Sequence, residues 1–500
     1  MRNSNTLIMN TKTLSLVVWA LALFMVACSD KSSYTNVIPK ESSVVVSVDL
    51  MQMAEKGELT AADGKLLAKA LCKFFSEEIG NQEEMINKVV ANPDESGLDF
   101  RKNVYFFDNP KSECAGILAS VSDYDRLTEL TRFLVDHKVC ESFAEEEGIR
   151  YSSINKGAFI AYNDETFLVL LAFTSLSPDK FRELALEWMN NEKENSYTVT
   201  EEFAGITSAK ADVAMAMTMD NILKDKFQKP SFMPQMYSML IPQNVSLEDM
   251  VGMYALNFDK GKIQLDMEML YKSDEAKEFA KMQERIYAGK LKGKFLDRIQ
   301  GNAIMYLAGT CNGQEIYSLL MKNELVKSRL DDSKMPVDLK TVLGSLNGEV
   351  VLAVAEGQTF PQIAMYAEVN DDAILKELDA YKDALDIAKV KYGVEDNVLY
   401  ISNMETPVSG QSLEDTGIVS NSDGKIVYLT IDIKALGNIL KSFASGFEAL
   451  FLSMMSQYVK SYTMYSDDVM NNSRMILCTV NEEENVLKQI VDAGRKNYGM

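Results

Sequence analysis

The sequence predicts an α+β protein made of two tandem related domains, each a mostly antiparallel sheet with helices packed on one face. Short segments of alternating apolar and polar residues are followed by helical patterns of roughly 10 to 20 residues. Neighbouring strands are joined by short polar turns, as at 257–262 and 355–358, and such turns indicate antiparallel hairpins. Internal matches in a constant order predict that this pattern occurs twice. A doubly wound parallel sheet is the alternative.

The first element along the chain is an export signal over residues 1–27. Lys12 is the only charged residue between Met9 and Cys28, and the stretch 14–27 is uncharged. A basic start, a short apolar run and small residues before a cleavage site are typical of a signal peptide. Because the run is shorter than the roughly 20 residues that cross a bilayer, we expect no transmembrane anchor.

The end of this segment resembles the lipobox of bacterial lipoproteins. Residues 25–28 read Met-Val-Ala-Cys, and the resemblance implies that Cys28 is acylated and becomes the first mature residue. Residues 28–35 then form a short polar tether, and two or three acyl chains attach a protein stably where one would not. We expect a lipid-anchored envelope protein, in the outer membrane, on its periplasmic or surface face. An ordinary signal peptide with a chance cysteine is the alternative.

The internal repeat is clearest where Ala119–Leu130 matches Ala367–Leu378 without a gap. In both segments an alternating strand reaches Ser or Asn and then Asp, which can cap the helix that follows. Further segments match in the same order: 43–50 with 303–308, 158–163 with 398–403, 213–224 with 426–441, and 262–269 with 474–480. Chance similarity would not keep this order, so we predict a first domain over 36–292, a junction over 293–299 and a second domain over 300–500.

The composition argues against a nucleic-acid partner and against a disulfide framework. The chain carries a net charge of -22, and such a surface repels phosphate backbones, so no nucleic-acid partner is expected. Besides Cys28 there are five cysteines without close spacing, which does not indicate a disulfide framework. Two of them, Cys72 and Cys478, lie in helical and strand patterns typical of small core residues.

After the tether, residues 36–50 place Ile-Pro and a polar pair just before the first predicted strand (Asn-Val-Ile-Pro-Lys-Glu-Ser-Ser-Val-Val-Val-Ser-Val-Asp-Leu). This opening resembles a family of Bacteroidota lipoproteins that carry a domain of unknown function, of the type numbered 4836. The likeness extends in general layout over most of the mature chain. The resemblance implies an envelope lipoprotein and supplies no catalytic residues.

The side chains that carry most enzyme chemistry are scarce. His137 is the only histidine, so a site built from several histidines is excluded, and its place at a predicted helix end indicates a structural role. Cys311 lies at a strand-to-helix turn, where a reactive thiol is possible but a helix cap is favoured. Paired acids such as Asp123 with Asp125 and Asp371 with Asp372 lie mainly at predicted helix starts. We therefore predict no catalytic residues, no metal site and no cofactor.

The 29 methionines are the most unusual feature. They cluster in 232–242 and 447–458, and methionine adapts its shape at permissive binding surfaces. Packing helices in the core are the alternative for both segments. The candidate interaction residues are Phe232, Met233, Met236, Met239, Phe451, Met454 and Met455.

These observations predict a non-catalytic, lipid-anchored envelope protein that binds an unknown protein or cell-surface component. A hydrolase of envelope or host polymers that uses acidic residues, and a carrier for an apolar ligand, are the alternatives. A cleft with two converging buried carboxylates would favour the hydrolase, a deep apolar cavity the carrier, and a broad exposed apolar patch the binding module.

Overall fold

The structure is a computed structural model, and it describes residues 33–60, 63, 93–155, 157–174, 176–223, 241–242, 244–324, 326–328, 337–357, 361–417, 421–440, 456–467 and 472–498. Cys28, Cys72 and all seven candidate interaction residues lie outside the described residues.

The described residues divide into two compact units. Unit 1 takes its residues from Met1–Met217, Met253–Lys260 and Glu484–Met500, and unit 2 from Thr218–Gly252 and Gly261–Glu483. The C-terminal helix thus belongs to unit 1, although the strand just before it belongs to unit 2. This division by compactness does not test the repeat boundary at 293–299, which stays a prediction.

Unit 1 contains β1 to β9 and the second part of β10. The strands are β1 Val44–Val48, β2 Leu98–Asp99, β3 Val104–Asn109, β4 Cys114–Val121, β5 Ala144–Glu146, β6 Ile149–Asn155, β7 Ala158–Tyr162, β8 Thr166–Ala172, β9 Val213–Thr218 and β10 Met250–Asp259. The α-helices are α1 Leu50–Gly57, α2 Tyr124–Asp136, α3 Pro178–Met189, α4 Glu201–Ser208 and, at the C-terminus, α12 Val486–Tyr498, with 3-10 helices at Ser33–Val37, Pro93–Ser96, Lys193–Asn195 and Tyr197–Val199.

The sheet of unit 1 is antiparallel, in the order β5-β6-β7-β8-β4-β3-β1-β9, and β2 also pairs with β4. One face packs on α1 and α2 through Leu50 and Leu127. The other face packs on α3 and α4, where Phe107 contacts Trp188 at 5.4 Å between ring centroids and Tyr105 contacts Phe203 at 5.8 Å. The prediction of helices on one face is therefore wrong for unit 1, because its central strands are apolar on both faces and each face needs a cover.

A buried carboxylate holds three segments of unit 1 together. The side chain of Asp212 is fully buried, and it accepts hydrogen bonds from Gln52 Nε2 at 2.6 Å, Lys56 Nζ at 2.7 Å and the Phe258 N–H at 2.7 Å. Asp212 thereby joins α1 to β10 beside the start of β9. A buried charge is tolerated in such a place because it is paired and fully hydrogen-bonded.

A second charged cluster attaches helix α12 to the end of α1. The Arg495 guanidinium donates to both carboxylate oxygens of Asp63, at 2.7 and 2.6 Å, and also to the carbonyl oxygen of Glu58 at 3.1 Å. The hydrogen bonds from Arg495 hold the pKa of Asp63 well below its usual range. The pair therefore stays charged even at acidic pH values at which an ordinary Asp carboxyl group begins to take up a proton.

Unit 2 contains β11 to β19. The strands are β11 Lys262–Tyr271, β12 Ala303–Asn312, β13 Leu346–Ala355, β14 Gln362–Val369, β15 Lys391–Glu395, β16 Val398–Ser402, β17 Val427–Asp432, β18 Val459–Ser466 and β19 Ser473–Thr479. The helices are α5 Met219–Leu223, α6 Asp274–Arg285, α7 Gly313–Leu320, α8 Leu339–Ser345, α9 Ile374–Asp379, α10 Lys382–Ile387 and α11 Ile433–Leu440, with 3-10 helices at Leu247–Asp249, Leu296–Arg298 and Leu413–Thr416.

The sheet of unit 2 runs in the order β11-β19-β18-β17-β12-β13-β14-β16-β15, and every pair is antiparallel. The prediction of an α+β fold with antiparallel pairing is confirmed, and the doubly wound parallel alternative is wrong. Pairing of β11 with β19 joins segments about two hundred residues apart in the chain.

The predicted junction packs on one face of this sheet. Leu291, Phe295, Leu296 and Ile299 are buried against the sheet residues Tyr306, Ala308, Val351, Ala353 and Tyr428. The carboxylate of Glu349, which is 2% exposed, accepts the backbone N–H groups of Lys292 at 2.9 Å and Lys294 at 3.0 Å. The segment 291–299 is thus held by apolar burial and by one buried carboxylate.

None of the helices among the described residues is both long enough and apolar enough to cross a membrane.

Candidate functional site

The sequence-predicted polar candidates occupy structural positions. His137 follows the last residue of α2 and is exposed, and its Nδ1 lies 2.9 Å from the carbonyl oxygen of Phe133. Asp123 accepts the Arg126 N–H at 3.0 Å at the start of α2, and Asp371 accepts the Ala373 N–H at 3.1 Å before α9. The prediction of helix-end roles for these residues is confirmed.

The cysteines in the described residues are free thiols. Burial raises the pKa of Cys114 and of Cys140 to about 11. Burial also raises the pKa of Cys311, which lies in β12, and the helix cap at that turn is Asn312, whose side chain accepts the Glu315 N–H at 3.3 Å. A raised pKa keeps these thiols protonated at neutral pH, which is the opposite of an activated nucleophile.

Several carboxyl groups have pKa values shifted downward by side-chain hydrogen bonds: Asp63, Asp338, Asp371, Asp415 and Asp492. A general acid that works by proton donation near neutral pH needs a raised pKa instead. Across the described ranges, no group of three His, Cys, Asp or Glu side chains is placed to hold a metal ion.

The most unusual surface among the described residues is one face of the unit 2 sheet. Residues paired directly across antiparallel strands point to the same face, so the register identifies which side chains share it. Following the pairs from β11 to β16 gives a row of apolar side chains, one from each of eight strands: Leu265, Met475, Met464, Leu429, Leu307, Leu352, Met365 and Ile401.

A second row runs beside the first, two residues along each strand. It contains Ile263, Leu477, Tyr462, Ile431, Met305, Val354 and Ile363. Every side chain in the two rows is half-buried. We call these two rows the apolar stripe.

The only polar side-chain atom in the apolar stripe is the hydroxyl of Tyr462, and burial raises the pKa of Tyr462. With strands about 4.8 Å apart, a row across eight strands is roughly 34 Å long, and two rows are about 7 Å apart along the strands. The stripe is therefore long and narrow.

Helices α8 and α9 border the stripe at three of its eight strands, β13, β14 and β16. The next paired positions along the strands, Val350, Ala367 and Leu399, pack with Val342 of α8 and Ile374 of α9. Ala367 and Leu399 are fully buried there, in contrast to the half-buried stripe.

The opposite face of the same strands differs in charge and in burial. There Arg474 forms an ion pair with Asp266, and it also lies over the ring of Tyr465. Nearer the centre of the sheet this face is covered by the segment 291–299, and its residues there, among them Tyr306 and Ala353, are buried. The large, half-buried apolar side chains are thus concentrated on the stripe face.

Four methionines lie in the stripe: Met305, Met365, Met464 and Met475. Methionines at a binding surface were expected from the sequence, but in the clusters at 232–242 and 447–458. The signal for the stripe is present in the sequence, because β12, β13 and β14 alternate large apolar residues with alanine or other buried residues. It becomes a continuous surface only once the strand order is known.

Comparison with known proteins identifies the family of this chain. Residues 34–487 match the sequence profile of a family described as "Domain of unknown function (DUF4836)". The chain belongs to this family. The DUF4836 region covers elements of both units. No curated protein matches the chain.

Solved structures of a protein named TP0453 give weak matches to this DUF4836 chain. Crystal form IV has a TM-score of 0.27 and 13% identity, and the match covers 48% of this chain and 81% of that one. Crystal form I has a TM-score of 0.20 and 10% identity, and the match covers 78% of this chain and 98% of that one. Scores this low carry no argument about fold or function.

Proposed function

We propose that the protein is a non-catalytic binding protein whose ligand-contacting surface is the apolar stripe of unit 2. The observation that carries this proposal is the pair of half-buried apolar rows, one across eight strands and the other across seven. The largest contiguous apolar patch on a soluble monomer commonly measures a few hundred square ångströms and is often functional. Methionine side chains allow such a surface to adapt to its ligand.

The proposal of a non-catalytic role is supported by the chemistry of the described polar groups. Cys114, Cys140 and Cys311 have raised pKa values, the carboxyl groups with resolved shifts have lowered ones, and His137 lies at a helix end. These shifts are opposite to those that a thiol nucleophile or a carboxylic general acid requires.

We also propose that the chain is a lipid-anchored protein of the cell envelope of a bacterium of the Bacteroidota. The modification state of Cys28 tests this proposal most directly. Its partners would then be the membrane, through the lipid, and the ligand of the stripe. Mass spectrometry of the protein from its native membrane should show an acylated N-terminal Cys28. An unmodified mature N-terminus, or an uncleaved chain, would exclude the anchor.

Duplication is a further part of the proposal. Its support is that β9-β1-β3-β4-β8 in unit 1 and β17-β12-β13-β14-β16 in unit 2 follow the same order of antiparallel pairing. Asp123 and Asp371 also occupy equivalent places after β4 and β14. By position in the sheet, β16 corresponds to β8 rather than to β7, which is the strand that the sequence match pairs with it.

Replacing Met464 by Lys tests the binding proposal. Met464 lies within the longer row, between Leu429 and Met475, and a charge there should weaken the binding of an apolar ligand because its desolvation is costly. We expect an apolar dye whose fluorescence rises in apolar surroundings to bind the wild-type protein, and Met464→Lys to weaken that binding by about tenfold.

The matched control is Ile387→Lys, the same kind of change at a side chain that is 84% exposed and outside the stripe. It should leave dye binding unchanged. Thermal unfolding of both variants establishes that they are folded. Equal binding by the wild type and a folded Met464→Lys variant would contradict the proposal.

A further inference from the structure

We propose that the apolar stripe takes the long acyl chain of a single-chain amphiphile, laid across the strands, with the polar head left in water. This inference rests on the proposed binding function and adds the class of ligand. It follows from the shape, the accessible area and the charge of the stripe.

The accessible area is too small for a stable protein partner. A half-buried apolar side chain leaves some tens of square ångströms accessible, so the two rows together leave on the order of 500 Å². Stable protein–protein interfaces need about 800 Å² on each partner. A second copy of this chain or another folded protein is therefore a poor fit to this surface.

The shape fits a chain rather than a compact molecule. The stripe is roughly 34 Å long and only two side chains wide, and α8 and α9 pack beside it on β13, β14 and β16. A compact apolar ligand would contact only a short part of it. An extended acyl chain would contact residues from several strands at once.

The absence of charged side chains from the two rows indicates that the head group of the ligand contributes little to recognition. Neither row contains a charged side chain, and the ion pair between Arg474 and Asp266 on these strands lies on the opposite face. The net charge of -22 gives an anionic head group no electrostatic attraction. Affinity should therefore follow the length of the acyl chain and not the chemistry of its head.

The test uses the full mature protein and a series of saturated fatty acids from octanoic to stearic acid, which compete with the bound dye. Each added methylene should tighten binding by about two- to fourfold, because each buries further apolar area. The fatty alcohol, the monoacylglycerol and the lysophosphatidylcholine of one chain length should bind within about threefold of one another.

Filling the stripe should shorten the accepted chain. Leu307→Trp places a large ring in the middle of the longer row and should abolish the gain in affinity for the longest acids while shorter acids still bind. Met475→Trp, nearer the β11 edge, serves the same purpose if Leu307→Trp does not fold. Ile387→Trp is the control and should leave the length series unchanged.

The outcomes separate this inference from the proposed function. Dye binding that depends on Met464 but no dependence on chain length would overturn the acyl-chain inference alone. A head-group effect larger than tenfold, or a dimer that loses dye binding on association, would overturn it as well. Absence of dye binding by the wild-type protein would overturn both.

Discussion

Asp212→Ala is expected to lower the free energy of unfolding of unit 1 by about 3 kcal/mol, since removing one partner of a buried ion pair leaves the other uncompensated. The change removes the acceptor of Gln52 Nε2, Lys56 Nζ and the Phe258 N–H. Urea unfolding measures the loss. Hydrogen exchange should show faster opening in α1.

Asp259→Ala is the matched control for this prediction, because Asp259 lies 3.8 Å from the same Lys56 Nζ but is 41% exposed. An exposed pair contributes little, so this variant should lose less than about 0.5 kcal/mol. A loss of equal size in the two variants would mean that burial of Asp212 has no special role.

Glu349→Ala is expected to destabilise unit 2 by a similar amount, about 3 kcal/mol, because two backbone N–H groups lose their buried, charged acceptor. Those groups belong to Lys292 and Lys294, in the segment whose Leu291 and Phe295 cover the sheet. Hydrogen exchange of residues 290–299 should accelerate more than that of the strands.

Glu356→Ala at the exposed turn after β13 is the control for Glu349 and should leave both stability and exchange unchanged. If Glu349→Ala leaves exchange of 290–299 at its wild-type rate, then apolar burial alone holds this segment.

Secondary structure could be predicted from the sequence where a short run of neighbouring residues determines it. The alternation at Val44–Val48, the helix start at Asp123 and the helix end at His137 are all set by neighbouring residues, and the structure confirms them. The cap before α7 was also predicted at this turn, and the capping side chain is that of Asn312, next to Cys311.

The pairing of strands that lie far apart in the sequence could not be predicted. Nothing in the pattern of Lys262–Tyr271 indicates that it pairs with Ser473–Thr479, because register depends on which faces are buried in the folded sheet. For the same reason the helices on both faces of unit 1 were missed. The candidate site was missed because its residues come from eight strands that only the fold brings together.

The central claim is that the apolar stripe is the ligand-contacting surface, and photo-crosslinking tests it most directly. A fatty acid that carries a photoreactive group in its chain is bound to the full mature protein, irradiated and located by peptide mass spectrometry. The account predicts labels on stripe residues of several strands, among them Met305, Leu352, Leu429, Met464 and Met475. Labels confined to residues outside the two rows, with none in the stripe, would contradict it.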